Sequence, residues 1–213
     1  MDFDLVLRSR HSVRLFSEKP VTRDVLRKIV QDAQRAPSWV NAQEWRVYMA
    51  TGTTLANIRA EYMALAEKGE KGEGDYPMAH RDEWSKEANE RMAGFMNLIA
   101  SENLGPTMQQ VQDLLFNAPA VAWLTLPKGA SRWAVLDLGA FEQSMLLSAT
   151  NRGLGSIPAY NLAKHPAVLR KFLGVPETED IVLGIALGYE SEDQINKIRT
   201  IRELTDRVVT FKD

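Results

Sequence analysis

The sequence contains no cysteine, so disulfides, thiolate nucleophiles, iron–sulfur clusters and zinc sites built on sulfur are excluded. Histidine is scarce: only His11, His80 and His165 occur in 213 residues, no two share a helical turn, and none pairs locally with a carboxylate at metal-ligand spacing. No metal site is expected. No serine sits in a nucleophile elbow, so a hydrolytic triad has no support. No uninterrupted apolar run approaches the roughly 20 residues needed to cross a bilayer, and residues 1–4 are acidic where a secretory leader is basic. The expectation is a soluble protein without membrane association, in the reducing cytoplasm. Charge excess is missing too: 26 basic and 28 acidic residues leave a formal charge of −2, which gives no global attraction for nucleic acid. No repeat, low-complexity tract or compositional break divides the chain, so residues 1–213 read as one domain.

What stands out is local. Arg8, Arg10 and Arg14, with His11 and Ser12 between them, crowd into residues 8–14, where the helical pattern of Phe3, Leu5, Val6 and Leu7 gives out. Guanidinium groups make charge-assisted, often bidentate bonds to phosphate, and a hydroxyl adds a fixed donor. Taken alone, the cluster reads either as an anion site or as a solvated basic turn. A second basic group, Lys197, Arg199 and Arg202, lies near the other end of the chain. Two phosphate-sized basic groups in a chain with so few acid–base candidates suit a protein whose cofactor brings the chemistry.

Between these groups the patterning predicts alternating helices and strands. Thr22 caps a helix whose face is Val25, Leu26, Ile29, Val30, Ala33 and Ala36, with Val21 and Leu26 as its staple, and Pro37 ends it. The loop over 36–45 is dense in hydrogen-bonding side chains of a size that suits the edge of a heterocycle, and it runs into a strand at 46–50. Helices follow at 51–68, 82–102 and 107–116, the second with Met92, Phe95, Met96 and Ile99 on one side. The glycine-rich 69–77 stretch lacks the lysine and serine or threonine of a phosphate loop and reads as a mobile excursion. Residues 120–126 and 180–189 read as buried strands. Between them, 133–151 forms a central helix on whose apolar side lie Leu136, Leu138, Phe141, Met145, Leu146 and Ala149, with Gln143 as a core group or pocket liner. Gly153 and Gly155 follow a helix rather than a strand, which excludes a dinucleotide fingerprint. His165 and Pro166 open a helix running to Leu173, with His165 as a cap or surface group.

The ordered series Arg10-His11-Ser12-x-Arg14-x-Phe16, Ala36-Pro37-Ser38-x-x-Asn41-x-Gln43-x-Trp45, Ala118-Pro119, Asp137-Leu138-Gly139 with Gln143, Gly153-Leu154-Gly155, and Gly184 to Tyr189 with Asn196 and Arg202 resembles the FMN-dependent nitroreductase family. The likeness is to its shorter, nitrobenzoate-reductase type, and residues 52–105 form a variable helical excursion. The resemblance implies an α+β fold with a mixed central sheet, and an intertwined homodimer in which the carboxy-terminal segment crosses to the partner. It implies that Arg10, Arg202 and, more weakly, Arg199 hold the FMN phosphate, with Ser12 and His11 near the ribityl chain and Arg14 at the N1 edge of the ring. Pro37, Ser38, Asn41 and Gln43 would contact the flavin of the other subunit, and the backbone of Pro158, Ala159 and Tyr160 would line its N5 side. Trp39 and Gln143 are substrate-pocket candidates; Trp39 would either narrow the pocket toward flat substrates or pack in the interface. The implied activity is ping-pong hydride transfer from NADH or NADPH, through FMN, to nitroaromatics, quinones or activated enones. A flavin-handling, fragmenting or dehalogenating member of the same fold is the alternative, and an anion-binding dimer without flavin a third reading.

Overall fold

The computed structural model describes residues 2–212; Met1 and Asp213 lie outside the described residues. Among the described residues seven α-helices flank four strands. In chain order these are α1 (Phe3–Ser9), α2 (Arg23–Ala33), β1 (Arg46–Thr51), α3 (Gly52–Glu67), α4 (Lys86–Ser101), α5 (Gly105–Asp113), β2 (Ala120–Pro127), α6 (Arg132–Asn151), β3 (Gly155–Ala159), α7 (Pro166–Leu173) and β4 (Glu179–Gly188). The sheet order is β1-β2-β4-β3.

This is an α+β fold in three layers. The apolar runs of β2 and β4 are continuous because both faces of the sheet are covered. On one face Val121, Trp123, Ile181 and Ala186 pack with Leu55, Ile58 and Tyr62 of α3, Val111 of α5 and Leu169 of α7. On the other, Ala122, Leu124, Ile185 and Leu187 pack with Leu26 and Ile29 of α2 and Leu138, Phe141 and Met145 of α6. All three strand pairings are antiparallel. The expected mixed sheet is therefore reduced, among the described residues, to one isolated parallel bridge, Ser12 to Ser156. That bridge brings the basic loop after α1 alongside β3.

Local signals predicted most element ends. Thr22 accepts from the Val25 N–H at 3.4 Å as the cap of α2, and Val21 and Leu26 are both buried beside it. Several further expectations need correction. The 69–77 stretch is not a loose excursion but a strap pinned at several points. Gly72 has φ +72° and approaches so closely that a Cβ there would lie 2.5 Å from the Lys164 carbonyl. The Gly74 N–H donates to the Tyr160 hydroxyl at 3.1 Å. Asp75 accepts from the Ile181 N–H at 2.9 Å and pairs with Arg170 at 2.9 Å. His165 takes the N-cap position of α7 as expected, but its side chain is not at the surface: it is buried beneath this strap, its ring edge-on to Tyr62 with centroids 4.8 Å apart. Leu136, assigned to the buried side of the central helix, is 63% exposed, as is Met96 of α4 at 54%. The inward face of α4 is Met92, Phe95, Leu98 and Ile99.

The helix expected to reach residue 116 stops at Asp113. Leu115, Phe116 and Asn117 then adopt φ of 50°, 60° and 52°, a left-handed run that non-glycine residues seldom enter. It carries the chain sharply from α5 into β2, and the Phe116 carbonyl accepts from the Phe16 N–H at 3.2 Å.

Candidate functional site

The two basic groups, almost 190 residues apart in sequence, line one cavity of about 560 Å3. Arg8, Arg10 and Arg14 approach it from the end of α1 and the loop beyond, and Arg199 and Arg202 from the carboxy-terminal segment. Ser12, His11, Thr200 and Gln143 complete its polar lining. Gln143 is thus a pocket liner rather than a core group. Arg8 and Thr200 are additions to the expected set; Arg8 was visible in the cluster, whereas Thr200 had no sequence signal beyond lying between two arginines.

Among the described residues none of these five arginines forms a salt bridge with a carboxylate. Arg14 is buried and donates to the Ser12 carbonyl at 3.0 Å. Arg199 donates to the Asn196 and Ile198 carbonyls, and Arg202 to the Thr200 hydroxyl at 2.8 Å. Burial lowers the Arg10 pKa from its ordinary value, and the Arg202 charge lowers it further, with Glu142 opposing. Burial likewise lowers that of Arg14, followed by the charge of Arg199. Guanidinium groups gathered on one cavity, none of them in a salt bridge among the described residues, are arranged for an anion from outside the chain. Below them Glu142 has its own pKa raised by burial, opposed by Arg10.

His11 turns toward the rim. Its Nε2 faces Glu190 at 3.0 Å and its Nδ1 the Ser9 carbonyl at 2.8 Å. Pro158 and Ala159 lie in β3 opposite Ile185 and Gly184, and Tyr160 opens the short turn Tyr160–Leu162. That turn is fastened from below: the Trp123 indole and the Tyr62 hydroxyl both donate to the Leu162 carbonyl at 2.7 Å.

The 36–45 loop is elsewhere. Pro37 and Ser38 line a separate, apolar cavity of about 750 Å3 with Val135, Leu136, Asp137 and Ala140 of α6. Val40, Asn41 and Gln43 all have positive φ; the Gln43 N–H donates to the Ser38 hydroxyl at 3.2 Å, and the Gln43 amide to Asn41 Oδ1 at 2.7 Å. The Trp39 N–H donates to Asp137 at 2.9 Å, and the indole packs on Trp133 with ring centroids 4.6 Å apart. Trp39 therefore lies on the apolar patch and not in the basic cavity of its own chain. Among the described residues no group of three or more histidine, aspartate or glutamate side chains is placed to hold a metal ion, and no helix is long and apolar enough to cross a membrane.

An α+β chain that turns two remote arginine groups onto one cavity presents a site suited to an anionic group. The particular family follows from comparison with known proteins. Residues 7–189 match the model of the Nitroreductase family, and the chain belongs to that family. It is 34% identical to a 4-nitrobenzoate reductase of Nocardioides sp. (strain LMS-CY), over 98% of this chain and 89% of that one. It is 28% identical to a 4-nitrobenzoate reductase of Pseudomonas putida, over 99% and 95%. Its fold superposes on the FMN and NADPH-dependent nitroreductase NfnB from sphigopyxis sp. strain HMH with a TM-score of 0.91, at 26% identity and full coverage of both chains. The FMN-dependent nitroreductase NfnB from Mycobacterium smegmatis, solved in complex with NADPH, gives 0.90 at 25% identity, over 99% of this chain and 97% of that one.

Proposed function

We propose that this protein is an FMN-dependent NAD(P)H oxidoreductase that reduces nitroaromatics, quinones or activated enones. The observation that carries the reading is the cavity of Arg8, Arg10, Arg14, Arg199 and Arg202, which has no carboxylate partner among the described residues and the volume to receive a phosphate and the start of its chain. When bound, FMN supplies hydride acceptance from a nicotinamide and its delivery to an acceptor in ping-pong order. Arg10 and Arg202 hold the phosphate, with Arg199 and Arg8 adding charge. Ser12 would donate to the chain between phosphate and ring, and His11, paired with Glu190, would close the rim. Arg14, buried and fixed by the Ser12 carbonyl, sits at the ring edge where negative charge collects on reduction, and a fixed cation there favours the reduced form. The backbone of Pro158, Ala159 and Tyr160, outside the lining of the basic cavity itself, would line the opposite edge of the ring. No protein acid or base is required.

The working unit is a homodimer in the cytoplasm. Trp39, Val40, Trp133 and Leu136 are exposed apolar side chains beside the cavity of Pro37 and Ser38, and such a concentration supports a partner surface. A second copy covering it brings Pro37, Ser38, Asn41 and Gln43 to the flavin of its neighbour, with Trp39 as a wall between interface and pocket. An absence of cysteine suits the reducing compartment.

The test is a preparation with flavin absorbance that bleaches anaerobically on adding NADPH or NADH and recovers on adding a nitroarene or quinone. A protein that cannot be reconstituted with FMN contradicts the reading. One that holds FMN but is reduced by neither nicotinamide supports a flavin-handling role instead.

A further inference from the structure

Asn196 joins two segments that are remote in the chain and that both deliver arginines to the cavity. It is 2% exposed. Its Oδ1 accepts from the backbone N–H of Arg14 at 2.7 Å and of Leu15 at 3.1 Å. Its Nδ2 donates to the Leu15 carbonyl at 2.7 Å and the Ser191 carbonyl at 3.0 Å. Ser191 closes the knot, its N–H and hydroxyl donating to the same Leu15 carbonyl at 3.2 and 2.9 Å. A carboxamide offers two hydrogens and two lone pairs, and this setting uses all four. The oxygen faces N–H groups and the nitrogen faces carbonyls, which fixes the amide orientation and leaves aspartate or leucine unable to make the same set.

The main chain of Asn196 works in the other direction. Its carbonyl accepts from the Arg199 guanidinium, which also donates to the Ile198 carbonyl at 3.0 Å. One residue thus holds the backbone of Arg14 by its side chain and the guanidinium of Arg199 by its own backbone, three residues before Arg199 and six before Arg202. Cations crowded in this way repel one another, and each needs a fixed anchor to stay in a productive place.

We propose that Asn196 is a positioning residue for the flavin: it sets Arg14 relative to Arg199 and Arg202, so that one amide governs both the electronics at the ring edge and the grip on the phosphate. The proposal rests on the FMN reading above. Nothing in it requires Asn196 to touch the cofactor.

The test compares Asn196→Ala and Asn196→Asp with the wild type in FMN titrations and in midpoint potentials of the reconstituted proteins, each alone and combined with Arg14→Ala. The FMN Kd is expected to rise on the order of tenfold in both variants, the scale of a buried amide losing its partners. The potential is expected to fall toward that of Arg14→Ala, and in the Arg14→Ala background Asn196→Ala is expected to change it no further. A wild-type Kd and potential in Asn196→Ala overturn the proposal, as does a potential shift that adds in full to that of Arg14→Ala. If Asn196→Ala does not fold, Asn196→Asp decides by the same readings, because it keeps the size and the acceptor while losing both donors. A wild-type protein that never binds FMN overturns the functional reading itself, and is recognised before any variant is made.

Discussion

The guanidinium carbon of Arg14 lies 5.6 Å from the centre of the Phe95 ring. Arg14 belongs to the basic loop after α1 and Phe95 to α4, toward the end of the 52–105 stretch. The excursion is therefore not an appendage. It places an aromatic face against the arginine assigned to the flavin ring, at a range where cation–π attraction is appreciable, and Phe95 also lines a cleft of about 500 Å3 shared with Arg91, Arg199 and Arg202.

The strap that leads into α4 is held by Asp75, which is 15% exposed and bonds both Arg170 and the Ile181 N–H. Asp75→Ala is expected to cost about 2–3 kcal/mol in urea denaturation, less than the full loss of a buried pair because Glu177 and the Glu179 carbonyl still face Arg170. Limited proteolysis should then cut within 69–77, a stretch expected to resist cleavage in the wild type.

Beneath the strap His165 has its pKa lowered from 6.5, first by burial and then by the Lys164 charge, with Glu70 opposing. Below about pH 6.5 the unfolded chain takes up a proton that the folded chain refuses. Stability contributed by this site is therefore present above that value and declines as the pH falls through the window beneath it. Glu142, with its pKa raised, works in the opposite sense on acidification. Thermal unfolding from pH 7.5 to 5 should show a decline that is smaller in His165→Gln.

Gly184 of β4 faces Leu162 so closely that a Cβ would come within 2.2 Å of the Leu162 Cβ. Gly184→Ala is expected to destabilise by about 1–3 kcal/mol, the usual range for overpacking. It should also displace the Tyr160–Leu162 turn, so kcat/KM should fall in the protein that remains folded at 25 °C.

The apolar continuity of β2 and β4, the cap at Thr22 and the periodicity of α2 sufficed for the layers, because burial and capping act over a few residues. The basic cavity was half legible: both arginine groups were visible, but only the Ser12–Ser156 bridge and the Asn196 knot place them together. The strap was misread, since glycines that permit close approach to Lys164 and Tyr160 look the same in sequence as glycines that permit flexibility. Leu136 was misread for the converse reason: helical periodicity locates an apolar stripe without saying whether its own chain covers it.

Leu136 is 63% exposed beside Trp133 and the cavity of Pro37 and Ser38. If a second copy covers this patch, Leu136→Asp should shift the protein toward monomer in sedimentation velocity at micromolar concentration. Bound FMN should decrease in parallel.

The central claim is a division of labour within residues 8–14, and paired substitutions test it most directly. Arg10→Ala is expected to raise the FMN Kd on the order of tenfold or more, because a charge-assisted phosphate contact is lost. Arg14→Ala is expected to retain FMN but lower its midpoint potential, since the cation at the ring edge is gone. Equal loss of FMN in both variants, with an unchanged potential in whatever holoprotein remains, would contradict the account.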